Sequence, residues 1–216
     1  MVEAPNEGRP VNPHDLDEIE QIEKHLAAAD VAQANSIYTQ SRSDYGYILI
    51  ERTGRDRSRL GDLAKLFYSA RHYRLVAECF EQLADFARAG QMYEKAGDPT
   101  NAAEMYWRAK VFARAAICYE ASGSFTKAAE LWLRLKEPMK AGMAFERAGA
   151  LFRAGECLLE AGRGDRAIPL LQKVPADDFN FRNACLLAAQ GLHDAQMSGL
   201  AIRRLEMGIG NAPIGE

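Results

Sequence analysis

Apolar and polar positions through the middle of this chain recur every thirteen residues. In register, the run reads DFARAGQMYEKAG (85–97), DPTNAAEMYWRAK (98–110), VFARAAICYEASG (111–123), SFTKAAELWLRLK (124–136), EPMKAGMAFERAG (137–149) and ALFRAGECLLEAG (150–162). Weaker copies, RLGDLAKLFYSAR (59–71) and HYRLVAECFEQLA (72–84), precede it and RGDRAIPLLQKVP (163–175) follows, so nine units succeed one another without an insertion. Within a unit, positions two, five, nine and twelve are apolar, as in Phe125, Ala128, Trp132 and Leu135. Spacings of three, four and three lay such residues along one stripe of a helix. The first position is often a capping residue (Asp85, Asp98, Ser124), the second is twice proline (Pro99, Pro138), and the last is often glycine (Gly97, Gly123, Gly149, Gly162). Each unit therefore predicts one helix of about eleven residues and a tight turn.

A helix this short is marginal alone, because nucleation is costly below about twelve to fifteen residues. Stability must come from stacking. Alanine or glycine at positions five and six (Ala89/Gly90, Ala102/Ala103, Ala115/Ala116, Ala128/Ala129, Ala141/Gly142, Ala154/Gly155) lets neighbouring backbones approach, with the large residue at position nine filling the gap. The expected fold is all-α: a solenoid of short antiparallel helices in thirteen-residue half-repeats and twenty-six-residue hairpins. The hairpin period shows at position ten, which alternates Glu94, Trp107, Glu120, Leu133, Glu146, Leu159 and Gln172. Helices starting at 98, 124 and 150 are expected to be the more buried class.

The small–aromatic–small pattern of AGQMYEKAG (89–97) and AAICYEASG (115–123) resembles the packing code of tetratricopeptide-like repeats, especially the short-helix variants in intraflagellar-transport subunits and SNAP-type adaptors. The resemblance spans roughly residues 59–206. It implies a helical-repeat fold, although the helices are shorter than those of a standard 34-residue repeat and no regular proline closes each unit.

Outside the array, Asp15–Ala28, Asp30–Thr39, Asn180–Leu192 and Ala195–Leu205 read as helices. YGYILIE (45–51) has strand-like β-branching but no partner strand, so a helix is expected. The expected organisation is a flexible arm (1–13), N-terminal helices (14–58), the array (59–175), capping helices (176–206) and a flexible Gly-containing tail (207–216).

Composition narrows the function. The 216 residues are 48% hydrophobic and 26% charged with a formal charge of −3, which describes a soluble globular chain without the basic footprint of a nucleic-acid binder. No apolar run is long enough to span a bilayer and the N-terminus lacks a signal-peptide pattern, so membrane insertion is not expected and the cytoplasm is the expected location. Cys79, Cys118, Cys157 and Cys185 form no CxxC pair, and His14, His25, His72 and His193 do not cluster with them. They predict no metal site. No phosphate loop, nucleophile elbow or metalloprotease motif is present, so neither an enzyme nor a cofactor is expected.

The sharpest functional signal is a stripe. In the helices starting at 85, 111, 137 and 163, positions four, seven and eleven share one face opposite the core: Arg88–Gln91–Lys95, Arg114–Ile117–Ala121, Lys140–Met143–Arg147 and Arg166–Pro169–Lys173. Basic residues here lack an acidic residue at position seven, and Ile117 and Met143 stand where water is expected. Arg88, Lys95, Arg114, Ile117, Lys140, Met143, Arg147 and Arg166 are therefore the candidate partner-binding residues. An acidic, amphipathic peptide or helix suits them. The structural alternative is that neighbouring helices cover Ile117 and Met143. Tyr93, Tyr106, Tyr119, Trp132 and Phe145, all at position nine, are read as packing residues rather than a ligand cage. The functional expectation is a non-enzymatic protein–protein interaction scaffold or adaptor. The alternative is a sensory or regulatory ligand- or peptide-binding domain controlling an attached module.

Overall fold

The structure, a computed structural model, describes residues 13–41 and 45–210. Among them are fourteen α-helices and no strand. The chain divides into two compact units, Met1–Val111 and Phe112–Glu216. The dividing point falls inside the thirteen-residue array. No helix among the described residues is long and apolar enough to cross a membrane.

The first unit opens with α1 (Pro13–Ala27), α2 (Val31–Gln40), α3 (Tyr45–Thr53) and α4 (Arg57–Ser69). Residues 45–51 are helical, as the lack of a partner strand predicts. α4 packs on α1, α2 and α3 as well as on α5, so these helices form a small bundle. Leu60, Leu66 and Phe67 of α4 are fully buried in it. Tyr45 donates its hydroxyl to Asp15 (2.8 Å) and Glu18 (3.0 Å), tying α3 to α1. Three further helices, α5 (Tyr73–Gln82), α6 (Phe86–Lys95) and α7 (Pro99–Arg108), stack in chain order.

The second unit holds α8 (Phe112–Ala121), α9 (Phe125–Arg134), α10 (Pro138–Arg147), α11 (Leu151–Glu160), α12 (Gly164–Gln172), α13 (Phe181–Asp194) and α14 (Ser198–Gly210). Each packs on the next. Nearest-neighbour stacking of short antiparallel helices, the solenoid arrangement, is thus present in both units.

α5 to α11 occupy positions two to eleven of their units. All of α6 to α11 bury positions five, six, eight and nine. Two sequence expectations are corrected. Position twelve is the C-cap rather than part of the buried stripe, which puts Leu135 at 36% exposure. The two helix classes bury the same positions, and Trp107, the expected extra apolar residue at position ten, is 51% exposed.

Stacking follows a knob and a notch. A Cβ added to Gly90, Gly142 or Gly155 at position six would lie 3.0, 2.8 or 2.5 Å from Tyr106, Leu158 or Leu171, the position-nine residue of the next helix. Small residues there are required by contact, not by chain flexibility. The turns are equally regular. Arg71, Ala84, Gly97, Lys110, Gly123, Lys136, Gly149 and Gly162, thirteen residues apart, all have positive φ. After each, the next unit's first N–H bonds back to the position-nine carbonyl, as in Asp98 to Tyr93 (2.9 Å) and Glu137 to Trp132 (2.9 Å). That bond satisfies one of the orphan carbonyls at the helix end. Asp85 and Asp98 close the N-terminal ends by accepting from Arg88 N and Asn101 N, as their place in the repeat predicts.

Residues 1–12 of the expected arm lie outside the described residues, and Pro13 opens α1. α14 continues through Gly210, past the expected start of a tail at 207; residues 211–216 lie outside the described residues.

Candidate partner-binding surface

The eight candidate residues divide between the units: Arg88 and Lys95 in the first, the other six in the second. The structure gives most of the cations an intramolecular task. Arg88 pairs with Asp85 (3.1 Å) and lies over Phe80 (5.6 Å). Lys140 pairs with Glu137 (3.5 Å) and lies over Trp132 (4.6 Å). Lys127 over Tyr119 and Arg153 over Phe145 repeat this geometry. A position-four cation thus covers the position-nine ring of the preceding helix.

Position eleven follows a second rule. Lys95 over Tyr73, Arg108 over Phe86, Arg134 over Phe112 and Arg147 over Phe125 place a cation on the position-two ring of the preceding helix. Each such contact contributes roughly 0.5–1 kcal/mol at an exposed site. Two of these cations also reach back to position ten of the helix before that: Arg108 to Glu81 (4.0 Å) and Arg147 to Glu120 (3.6 Å).

Those carboxylates are shared. Tyr93 donates to Glu81 (2.5 Å), Tyr106 to Glu94, and Trp132 Nε1 to Glu120 (2.6 Å). Burial and the Glu81 carboxylate push the Tyr93 phenol above its ordinary range, so it stays a donor. Where position nine is Leu158, with no polar tip, Arg166 supplies the donor to Glu146 instead (2.9 Å). Position ten therefore alternates because Glu94, Glu120 and Glu146 are acceptors for later helices, not because its helix is less buried. The signal was present in the sequence as a Glu twelve residues before a Tyr or Trp, but only contacts between units give it meaning.

Ile117 and Met143 are not absorbed. They occupy position seven of α8 and α10 and are 53% and 43% exposed, so neighbouring helices within the unit do not cover them. Arg114 and Lys140, one helical turn before them, are exposed. The position-nine residues Tyr93, Tyr106, Tyr119, Trp132 and Phe145 are all buried, as their packing role predicts. Burial pushes the Cys79 thiol up to about 12 and raises the Cys157 and Cys185 thiols, away from the thiolate form a nucleophile needs. The sequence stripe missed the exposed Trp107 of the first unit and a group of exposed apolar residues on α14: Leu200, Ile202, Leu205 and Met207.

A tetratricopeptide repeat (TPR) family model matches residues 150–177, which span α11 and α12. No curated protein sequence matches the chain. Solved structures similar to it include MamA protein (14% identity, 72% of this chain and 91% of that chain, TM-score 0.40). YrrB, described as a TPR protein with an unusual peptide-binding site, aligns at 19% identity over 78% of this chain and 93% of that chain (TM-score 0.42). A putative kinesin light chain of Podosopora anserina with nearly identical TPR-like repeats aligns at 13% identity over 91% and 93% (TM-score 0.29).

Proposed function

From a chain built of tetratricopeptide-like helical repeats, we propose a non-enzymatic scaffold or adaptor that holds a protein or peptide partner on the position-seven face of α8 and α10. The observation that carries this reading is the pair Ile117 and Met143. Two large apolar side chains, one hairpin period apart in the sequence, stay in water at equivalent positions of α8 and α10. Arg114 and Lys140 beside them favour an acidic, amphipathic partner, with the apolar side chains supplying the anchor and the cations the orientation. The pairing of Lys140 with Glu137 and Trp132 reduces its share, so the weight falls on the two apolar residues. The cytoplasm is the compartment proposed for this activity.

The test is capture of synthetic acidic amphipathic helices by the immobilised chain. Ile117→Asp with Met143→Asp should abolish capture while leaving helical circular dichroism and the melting temperature nearly unchanged. Equal capture by the double variant and the native chain removes this face from consideration.

A second reading, a regulatory domain that binds a small ligand, draws on a cavity of about 500 Å3 between α1 and the α3–α4 region, lined in part by Glu23, Lys24, Asp56, Arg59 and Asp62. A saturable rise in melting temperature with a metabolite or nucleotide would favour it.

A further inference from the structure

α14 ends the second unit with a face that differs from that of α6 to α11. Gln196 has positive φ and Met197 N bonds to Leu192 O (2.8 Å), which is the same cap that closes α4 to α11. This fixes the register: Ala201 stands at position five, Ile202 at position six and Leu205 at position nine. Ala201 is buried, as position five is throughout the array. Position six departs. In α6 to α11 it is always alanine or glycine and forms the notch for the next helix. In α14 it is Ile202, 57% exposed.

A helix that brings a position-nine leucine, as α11 and α12 do, cannot seat there; α12, whose own position six is Ile168, is met instead by a glycine, Gly191 of α13. At Gly142 and Gly155 even one added carbon would stand 2.8 and 2.5 Å from the incoming leucine, and isoleucine adds four. Ile202 is a knob where the array has a hole, so its occupant must present a hole. One lies on the same helix. A Cβ added at Gly199 meets nothing within 4 Å, so this glycine answers no packing need among the described residues. At 100° per residue, Gly199 and Ile202 lie side by side on the outward face, one turn apart. Arg203 and Glu206 are exposed on the same face, and beyond it Leu200 and Met207 lie on one side and Leu205 on the other, at 51%, 53% and 37% exposure.

We propose that α14 pairs antiparallel with α14 of a second copy of this chain, Ile202 of each copy seated at Gly199 of the other. A two-fold axis makes both contacts at once, as an isologous interface requires. The same register sets Arg203 opposite Ser198. Knob and notch are self-complementary, which selects a second copy over an unrelated helix.

The experiment is sedimentation equilibrium of the full chain across the micromolar range. The native chain should rise towards twice the monomer mass with concentration. Ile202→Glu should remain at monomer mass. Gly199→Leu should do the same, although it improves helix propensity and meets nothing in the monomer, so its helical circular dichroism and melting temperature should not fall. Ile202→Val should still pair, and Met143→Asp should pair like the native chain, which separates this contact from the proposed partner face. A native chain that stays monomeric at every concentration overturns the proposal, as does a dimer that persists in both Ile202→Glu and Gly199→Leu.

Discussion

α11 and α12 are neighbours in the second unit and close in opposite ways, although each sends a position-nine leucine, Leu158 or Leu171, into the glycine notch of the helix before it. At the end of α11, Gly162 takes positive φ and Arg163 N bonds to Leu158 O (2.8 Å). At the end of α12 the residue in Gly162's place is Pro175, whose φ is locked negative, so the left-handed turn that aims the next N–H at the position-nine carbonyl cannot form. The position-nine carbonyl still finds a strong donor: Leu171 O accepts from Arg204 Nη2 (3.0 Å), thirty-three residues further along. Arg204 is 7% exposed and also lies over Phe181 (5.4 Å). The partial negative charge of the α12 C-terminus favours a guanidinium at that place. The comparison shows that the requirement belongs to the carbonyl, and that a turn or a distant side chain can meet it.

Five substitutions sharpen this contrast. Trp132→Ala removes a buried knob and the donor to Glu120, and should cost about 3–5 kcal/mol in chemical denaturation. Trp107→Ala, on an exposed indole, should stay within about 0.5 kcal/mol. Similar losses for the two would break the knob-and-notch account. Arg204→Lys keeps the charge but loses the planar fork, and should cost about 1–2 kcal/mol. Hydrogen exchange should quicken in α12 to α14 and stay unchanged in α9 and α10; uniform quickening would mean that Arg204 is not a local cap. Lys136→Gly and Lys110→Gly relieve a left-handed conformation and should each raise stability by about 0.5–1 kcal/mol. A drop in melting temperature would show that the lysine side chains outweigh the backbone strain.

Much of the fold was legible because its cause is local. The Asp85 and Asp98 caps, the glycines at 97, 123, 149 and 162, and the small residues at positions five and six all act within thirteen residues of their partners. What escaped acts across units. Lys136 adopts the glycine conformation because α9 and α10, packed on each other, fix the turn, and composition alone would not place it there. The cations of the stripe read as free because only their own helices were considered; their rings lie eight or twenty-two residues upstream. Ile117 and Met143 kept their reading because exposure of an apolar side chain at position seven needs only helical geometry. Ile202 and Gly199 escaped because α14 enters register only once Gln196 is known to turn left-handed.

The Glu81–Tyr93–Arg108 and Glu120–Trp132–Arg147 triplets each bind three successive rods at offsets of twelve and twenty-seven residues. Loss or gain of one amino acid in the first intervening turn would misalign both offsets, and in the second turn the longer one. Length variation in this part of the chain is therefore quantised: it can be accommodated only in whole steps of thirteen.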